Sequence, residues 1–574
     1  MPTNTHLNFA QARAVEHDGG HLLIVAGPGT GKTHTLTHRI AHLVKSLNPN
    51  EKVLAVTFTN KAAKEMRERL LSRDADIQKT VSVGTFHSFC LNLLRQYARH
   101  TNLPENFRVA LPEEIEALLK SVWDMPAKEM KEVIAEISNW KSFTSNPNKP
   151  VRLKEYNDLL RGRGLVDFDD LINATLILLS NNEKVAQDIR RAYRFVCVDE
   201  YQDLNAIQNA FLKEMVKDGV RLTAIGDPNQ AIYGFRGSDV RFFGQFDHDF
   251  PQATVIMLRE NYRSTENLLA ASGQVIAAGR NRSSALEAIA NIHTQGRLVV
   301  HESPTDKAEA EFVVHQIENL VGGTSMFSHD SGRVKNTGAS QCSFGDVAVL
   351  YRLNAQKNAL KQAFERSGIP FQICGDRPLG LTPEAVDALR KFASQTNLKN
   401  PADILKAFAQ SEEGKSFLER DRQLAADWDG LLNFSQKSDS LEDFFDQISL
   451  QKPEDYFEFN VEKVSLMTLH ASKGLEFPVV FITGCEEGIL PLDIANMRSD
   501  VEEERRLFYV GMTRAKDYLY LTRAFKRLLF GQAFNNPSSR FLADIKEDLK
   551  AYEQMQKRTR REVDQEDDRQ LTLF

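Results

Sequence analysis

The chain has 574 residues, too many for one hydrophobic core, so several domains are expected. Apolar content of 42% with 26% charged residues is that of a folded globular protein, and a net charge of −6 excludes a uniformly basic surface while leaving room for a local basic groove. The five cysteines (Cys90, Cys197, Cys342, Cys374 and Cys485) are far apart with no CxxC pair, which argues against a disulfide framework or zinc site and for a reducing cytoplasm.

In chain order, the opening MPTNTHLNFAQARAVEH lacks the basic flank and apolar core of a secretory signal. Short apolar runs then recur: HLLIVAG (21–27), KVLAVTF (52–58), YRFVCVDE (193–200), RLTAIGD (221–227), DVAVLYR (346–352), VVFITG (479–484) and DYLYLT (517–522). Helix-like segments such as TNKAAKEMRERLL (59–71) separate them, so parallel sheets of βαβ units are expected. One α/β unit is expected over 1–89 and 166–270, and a second over 271–380 and 461–550. Residues 90–165 and 381–460 have helical periodicity and read as an insertion in each unit. The Gly- and Ser-rich stretch 322–340 reads as an irregular loop, and the charged end 551–574 as a disordered tail. No run approaches membrane-spanning length.

The first strand leads into AGPGTGKT: Ala26, Gly27, Pro28, Gly29, Thr30, Gly31, Lys32 and Thr33. This is a phosphate cradle of the GxxxxGK[ST] type with a small residue, Ala26, at its first position. Its glycines let backbone N–H groups face a phosphate, and the following helix N-terminus adds positive potential. Lys32 is expected on the β/γ-phosphates and the Thr33 hydroxyl on Mg²⁺. In FVCVDEYQD (195–203) a strand ends in three carboxylates within five residues, a repulsion that a cation relieves. Asp199 at the strand end is the expected magnesium-directed acid, and Glu200 the group that orients or deprotonates the attacking water. Gln202 and Asp203 suit hydrogen bonding around the γ-phosphate. Gln11 carries a donor and an acceptor on one amide, the pattern that pairs with an adenine edge, and so points to ATP.

Beyond the ATPase, the ordered set LNFAQARAV, AGPGTGKT, TFTNKAAKEM, GTFHSF, VDEYQD, IGDPNQAIYGFRG, ENYRS, TLHASKGLEF and EEERRLFYVGMTRA resembles superfamily 1 DNA helicases of the UvrD/PcrA/Rep type. The match runs from Leu7 to about Arg523. The resemblance implies two RecA-like parallel-sheet domains forming an ATP cleft, each with a helical insertion, the second one short for the family. It implies ATP and Mg²⁺ as cofactors, with Gln230, Arg263 and Arg514 at the γ-phosphate, Tyr262 stacked on adenine, Glu476 near the ribose or phosphates, and Arg39 among the nucleotide contacts. Phe58, Tyr233, Phe235 and Arg236 are implied base contacts, with phenylalanine at 235 where most relatives carry tryptophan. Thr85, His87 and His470 are implied contacts to the strand backbone, with helix capping or core packing as their competing roles.

The activity so implied is ATP-driven 3′ to 5′ translocation on single-stranded DNA, with unwinding of 3′-tailed duplex in repair, recombination or replication restart. Two other readings are the motor subunit of a helicase–nuclease complex and a module that strips proteins from single strands. The ending Gln570–Phe574, QLTLF, is similar to the short motif with which bacterial proteins bind the DNA polymerase sliding clamp.

Overall fold

A computed structural model of the chain describes residues 7–104, 106–142, 149–279, 288–322, 342–374, 381–436, 438, 440–450, 461–494 and 497–553. It divides into two compact units, one comprising 1–263, 286–289 and 374–458, the other 264–285, 290–373 and 459–574.

The first unit is built on a six-stranded parallel sheet. Its strands are β1 (Leu22–Ala26), β2 (Lys52–Thr57), β3 (Val81–Thr85), β4 (Tyr193–Val198), β5 (Arg221–Gly226) and β6 (Thr254–Leu258). Their spatial order is β3-β2-β4-β5-β1-β6. Successive residues of β1 face opposite apolar layers, Leu23 and Val25 on one side and Leu22, Ile24 and Ala26 on the other. Both faces are therefore covered, which explains the continuous apolar runs. The loops that follow β1, β4 and β5 at their C-terminal ends carry the cradle, the acidic cluster and the GDPNQ segment. Ligands of open α/β sheets bind at such ends.

The second unit holds β7 (Arg297–Thr305), β8 (Val347–Tyr351), β9 (Phe371–Ile373), β10 (Val464–Thr468), β11 (Phe477–Ile482), β12 (Ala515–Leu529), β13 (Gln532–Phe534) and β14 (Ala551–Glu553). The order β9-β10-β8-β11-β12-β7-β14 is parallel throughout, and β13 pairs antiparallel with the far end of β12. Among the described residues no helix is long and apolar enough to cross a membrane.

Several expectations need correction. The segment 90–165 contains a strand pair, Arg108–Val109 with Leu165–Val166, too short to leave an alternation pattern. Strands β3, β6, β7, β9 and β10 were not legible as apolar runs. Two of them, β3 and β6, lie at the edges of the first sheet, and each buries only two of its five residues fully. Ala551–Glu553, expected in the tail, is paired with β7. The rest of the tail, with Gln570–Phe574, and the loop from 323 lie outside the described residues. The second insertion interrupts the second sheet in sequence but packs with the first unit in space. Its core of Leu389, Leu405, Phe408, Leu431 and Phe444 also takes in Leu111 of the first insertion.

A buried ion cluster locks the β12 end of the second sheet. Arg527 pairs with Glu309 and Glu486 at 2.6 Å each, and all three side chains are at most 3% exposed. Glu309 also accepts from the Gly484 N–H at 3.0 Å and the Thr522 hydroxyl at 2.7 Å. Removing the cation would leave two carboxylates buried without compensation. Arg527→Leu is expected to destabilise the protein by about 3–5 kcal/mol, read by chemical denaturation. A loss below about 1 kcal/mol would show that the carboxylates take up protons or water instead.

Candidate functional site

The cradle is held from outside by residues distant in sequence. Pro28 O accepts from Asn261 Nδ2 at 2.6 Å, Gly29 O from the Tyr262 N–H at 2.9 Å, and Thr30 O from Gln11 Nε2 at 3.0 Å. Three consecutive carbonyls are thus tied down. Gly29 and Gly31 have φ of +68° and +80°, the left-handed turns that direct successive N–H groups into one concavity. A Cβ at Gly29 would stand 2.6 Å from Arg263 Cβ, so only glycine lets the ENYRS segment approach. Gly31 caps the helix Lys32–Val44, and Lys32 and Thr33 open its first turn.

Gln11 is buried and works in a capping box. Its Oε1 accepts from the Asn8 N–H at 3.0 Å while Asn8 Oδ1 accepts from the Gln11 N–H at 2.8 Å. A primary amide has two N–H donors and two acceptor lone pairs, so one of each lies beyond these bonds. Tyr262 is 44% exposed, its hydroxyl accepting from Asn8 Nδ2 at 2.9 Å and donating to Glu260 at 2.7 Å. The ring is therefore fixed at one edge and presents a face. His34, a residue not picked out in the sequence, stands beside Gly31 together with Gln11. Burial, with His38, Arg73 and Arg69 nearby, holds its imidazole down to about 4, so it is neutral at pH 7.

The acids follow β4. Asp199 is buried, its N–H donating to Val56 O at 2.9 Å and its Oδ1 accepting from the Glu200 N–H at 2.9 Å. Glu200 has φ of +51°, a strained conformation for a residue with a side chain, of the kind that collects at working sites. Gln202 joins two loops: its Nε2 donates to Glu200, and its Oε1 accepts from the Asp227 N–H at 3.0 Å. Asp227, also missed in the sequence, lies beneath the site. Its carboxylate accepts from Gln230 Nε2 at 2.8 Å and from the Asn229 N–H at 3.0 Å. Burial pushes this carboxyl up, against the pull of the Lys32 ammonium and these hydrogen bonds. Reading GDPNQ for its aspartate as well as its glutamine would have found it. The Thr33 hydroxyl and the Asp199 carboxylate are hard oxygen donors that suit Mg²⁺, which takes only a few protein ligands and fills its shell with phosphate oxygens and water.

Beyond Gln230 comes the turn Gly234–Arg236. Arg236 lies 5.5 Å from both the Tyr233 and Phe235 ring centroids, and Phe235 is 64% exposed. Across the sheet, Phe58, Thr85 and His87 line one open cleft with Thr59, Asn60, Phe168 and Leu450. The His87 ring lies on Phe168 at 3.6 Å. Thr85 is the N-cap of the helix Phe86–Gln96, its hydroxyl accepting from the Ser88 N–H at 3.2 Å, so capping is a role it does perform.

Arg39 is a correction. It lies in the third turn of the cradle helix and is 2% exposed, donating to Val15 O at 2.9 Å. Its position on the helix turns it into the core, where it braces the helix Phe9–Val15.

The second unit carries the remaining expected residues. Arg514 is 1% exposed and donates to Val510 O at 2.9 Å, Leu475 O at 3.0 Å and Thr513 Oγ1 at 3.0 Å. Glu476 pairs with Lys516 at 2.8 Å, so KGLEF and GMTRA meet at one end of the sheet. His470 is half-buried in the turn after β10. A further residue drew no attention in the sequence. Phe530 and Gly531, with φ of +52° and +76°, form the two-residue turn between β12 and β13, and Phe530 is 62% exposed. Phe525 and Leu528, on the strand leading to it, are exposed as well.

Comparison with known proteins matches this arrangement. Residues 7–251 match the UvrD/REP helicase N-terminal domain, and residues 256–390 and 384–526 match the UvrD-like helicase C-terminal domain. The ATP-dependent DNA helicase PcrA of Staphylococcus aureus (strain Mu50 / ATCC 700699) is 30% identical, covering 95% of this chain and 87% of the relative. That of Staphylococcus epidermidis (strain ATCC 12228 / FDA PCI 1200) is 31% identical over the same shares. With both domain models matched along most of its length, the chain belongs to the UvrD/Rep helicase family.

Proposed function

We propose that this helicase is an ATP-dependent motor that moves 3′ to 5′ along single-stranded DNA and opens 3′-tailed duplex during repair, recombination or replication restart. The observation that carries the reading is the hydrogen-bonded chain from Glu200 through Gln202 and Asp227 to Gln230, three residues short of the Tyr233–Arg236 turn. A change at the γ-phosphate can reach the stacking rings through it. ATP is read by Gln11 and stacked on Tyr262, with its phosphates in the cradle. The Thr33 hydroxyl and the Asp199 carboxylate would hold magnesium, which when bound would neutralise charge on the phosphates. Glu200 takes the proton of the attacking water, and Gln230 and Arg263 hold the γ-phosphate.

Glu476 is assigned to the ribose or phosphate region, and Arg514 to stabilising charge on the transferring phosphoryl group. Arg514 must then exchange some of its backbone acceptors for phosphate oxygens. Phe58, Tyr233, Phe235 and Arg236 hold bases by stacking, which tolerates any sequence, while Thr85, His87 and His470 touch the strand backbone. Phosphate contacts make the affinity salt-dependent. Phe530 is assigned to the fork: an aromatic kept in a left-handed turn costs roughly 1–2 kcal/mol, and a rigid exposed ring suits stacking on a terminal base pair.

Four outcomes test this. Lys32→Ala is expected to lower DNA-stimulated ATP hydrolysis at least about 100-fold, and Arg514→Ala by a similar factor, with DNA binding retained. Full turnover in either variant would remove the phosphate assignments. Strand-displacement assays are expected to favour 3′-tailed over 5′-tailed duplex, and the opposite preference would reverse the polarity. Phe530→Gly is expected to raise stability by about 1 kcal/mol while slowing unwinding and sparing translocation. Unwinding at the original rate would make the turn merely structural. For the end of the chain we assign a sliding-clamp contact to Gln570–Phe574. A peptide of Lys557–Phe574 is expected to bind the clamp in calorimetry and to weaken on Phe574→Ala, whereas an intact peptide that gives no heat would exclude it.

A further inference from the structure

The cleft that holds Phe58 and His87 has one wall from an unexpected place. Leu450 follows the last helix of the second insertion, Leu441–Ser449, yet its side chain is 7% exposed and belongs to the apolar core of the first sheet. Its carbonyl accepts from Asn60 Nδ2 at 3.0 Å, next to Phe58 and Thr59. One turn earlier, buried Asp446 pairs with Arg95 on the helix Phe86–Gln96. On the other face of the same helix Phe444, Phe445 and Ile448 enter the insertion's own core. The helix is thus anchored on both sides, and the cleft stays open beside its end.

The lining is mixed in character, and the His87 and Phe168 rings in it already stack on each other at 3.6 Å. Phe58, Phe168, His87 and Leu450 supply apolar and aromatic surfaces, and Thr59, Asn60 and Thr85 supply a polar rim. Apolar and aromatic faces pack against nucleobases of any identity.

We propose that the second insertion contributes directly to the single-strand site, with Leu450 as the wall against which a base in the Phe58 cleft packs. The Asn60 and Arg95 contacts are positioning interactions that keep this wall in place. The inference rests on the reading of Phe58 as a DNA contact, and the experiment separates the two.

Equilibrium binding of a fluorescent oligo(dT) to the full chain, without nucleotide, is measured for Leu450→Ala, Leu450→Met, Asp446→Asn and Phe58→Ala. Thermal denaturation is used to check that each variant is folded at the assay temperature. Leu450→Ala is expected to weaken binding about tenfold, with Leu450→Met close to the parent and Asp446→Asn weakened several-fold. Unchanged or tighter binding by Leu450→Ala would overturn the proposal, tighter binding meaning that the helix end obstructs the cleft. If Leu450→Ala does not fold, Asp446→Asn decides in the same way. Phe58→Ala without effect would sink the underlying DNA reading, whereas Phe58→Ala weakened beside an unaffected Leu450→Ala sinks the wall alone.

Discussion

The phosphate loop of this protein depends on who holds its carbonyls. A loop that offers N–H groups to an anion has to put its oxygens elsewhere, and unpartnered oxygens near a bound phosphate would repel it. Here Asn261, Tyr262 and Gln11 take the oxygens of Pro28, Gly29 and Thr30. Two of these partners come from the ENYRS segment after the last strand of the first sheet, and one from the N-terminal helix. The same close approach explains glycine at 29, where a side chain would strike Arg263. Loop shape and nucleotide-contact segments are therefore one construction.

A second network joins the acidic end of β4 to the GDPNQ segment. Gln202, Asp227 and Gln230 are all buried, and each uses its polar atoms on the next. Networks satisfied in this way are rigid. At Asp227 burial raises the carboxyl against the pull of the Lys32 ammonium and the hydrogen bonds from Asn229 and Gln230.

What the sequence made legible was local. The glycine spacing, the acids after an apolar strand and the aromatic–arginine turn are short-range patterns, and the structure places each on the expected kind of element. Contacts made across long separations were not legible. Arg39 was expected among the nucleotide contacts from the family resemblance alone, but the helical period turns it towards Val15. The second insertion read as part of the unit it interrupts, because nothing in its periodicity tells which surface its apolar face will cover. Phe530 was missed because a two-residue hairpin turn is usually signalled by Asn-Gly, and Phe-Gly carries no such signal. Strands β3 and β6 were missed for a related reason: edge strands bury only part of their residues and leave weak apolar runs.

The capping box at Asn8 and Gln11 links two requirements that are often separate. One amide both starts a helix and ties down a carbonyl of the glycine-rich loop. A substitution at position 11 therefore loosens a helix terminus and the glycine-rich loop together, so neither can be altered there by itself.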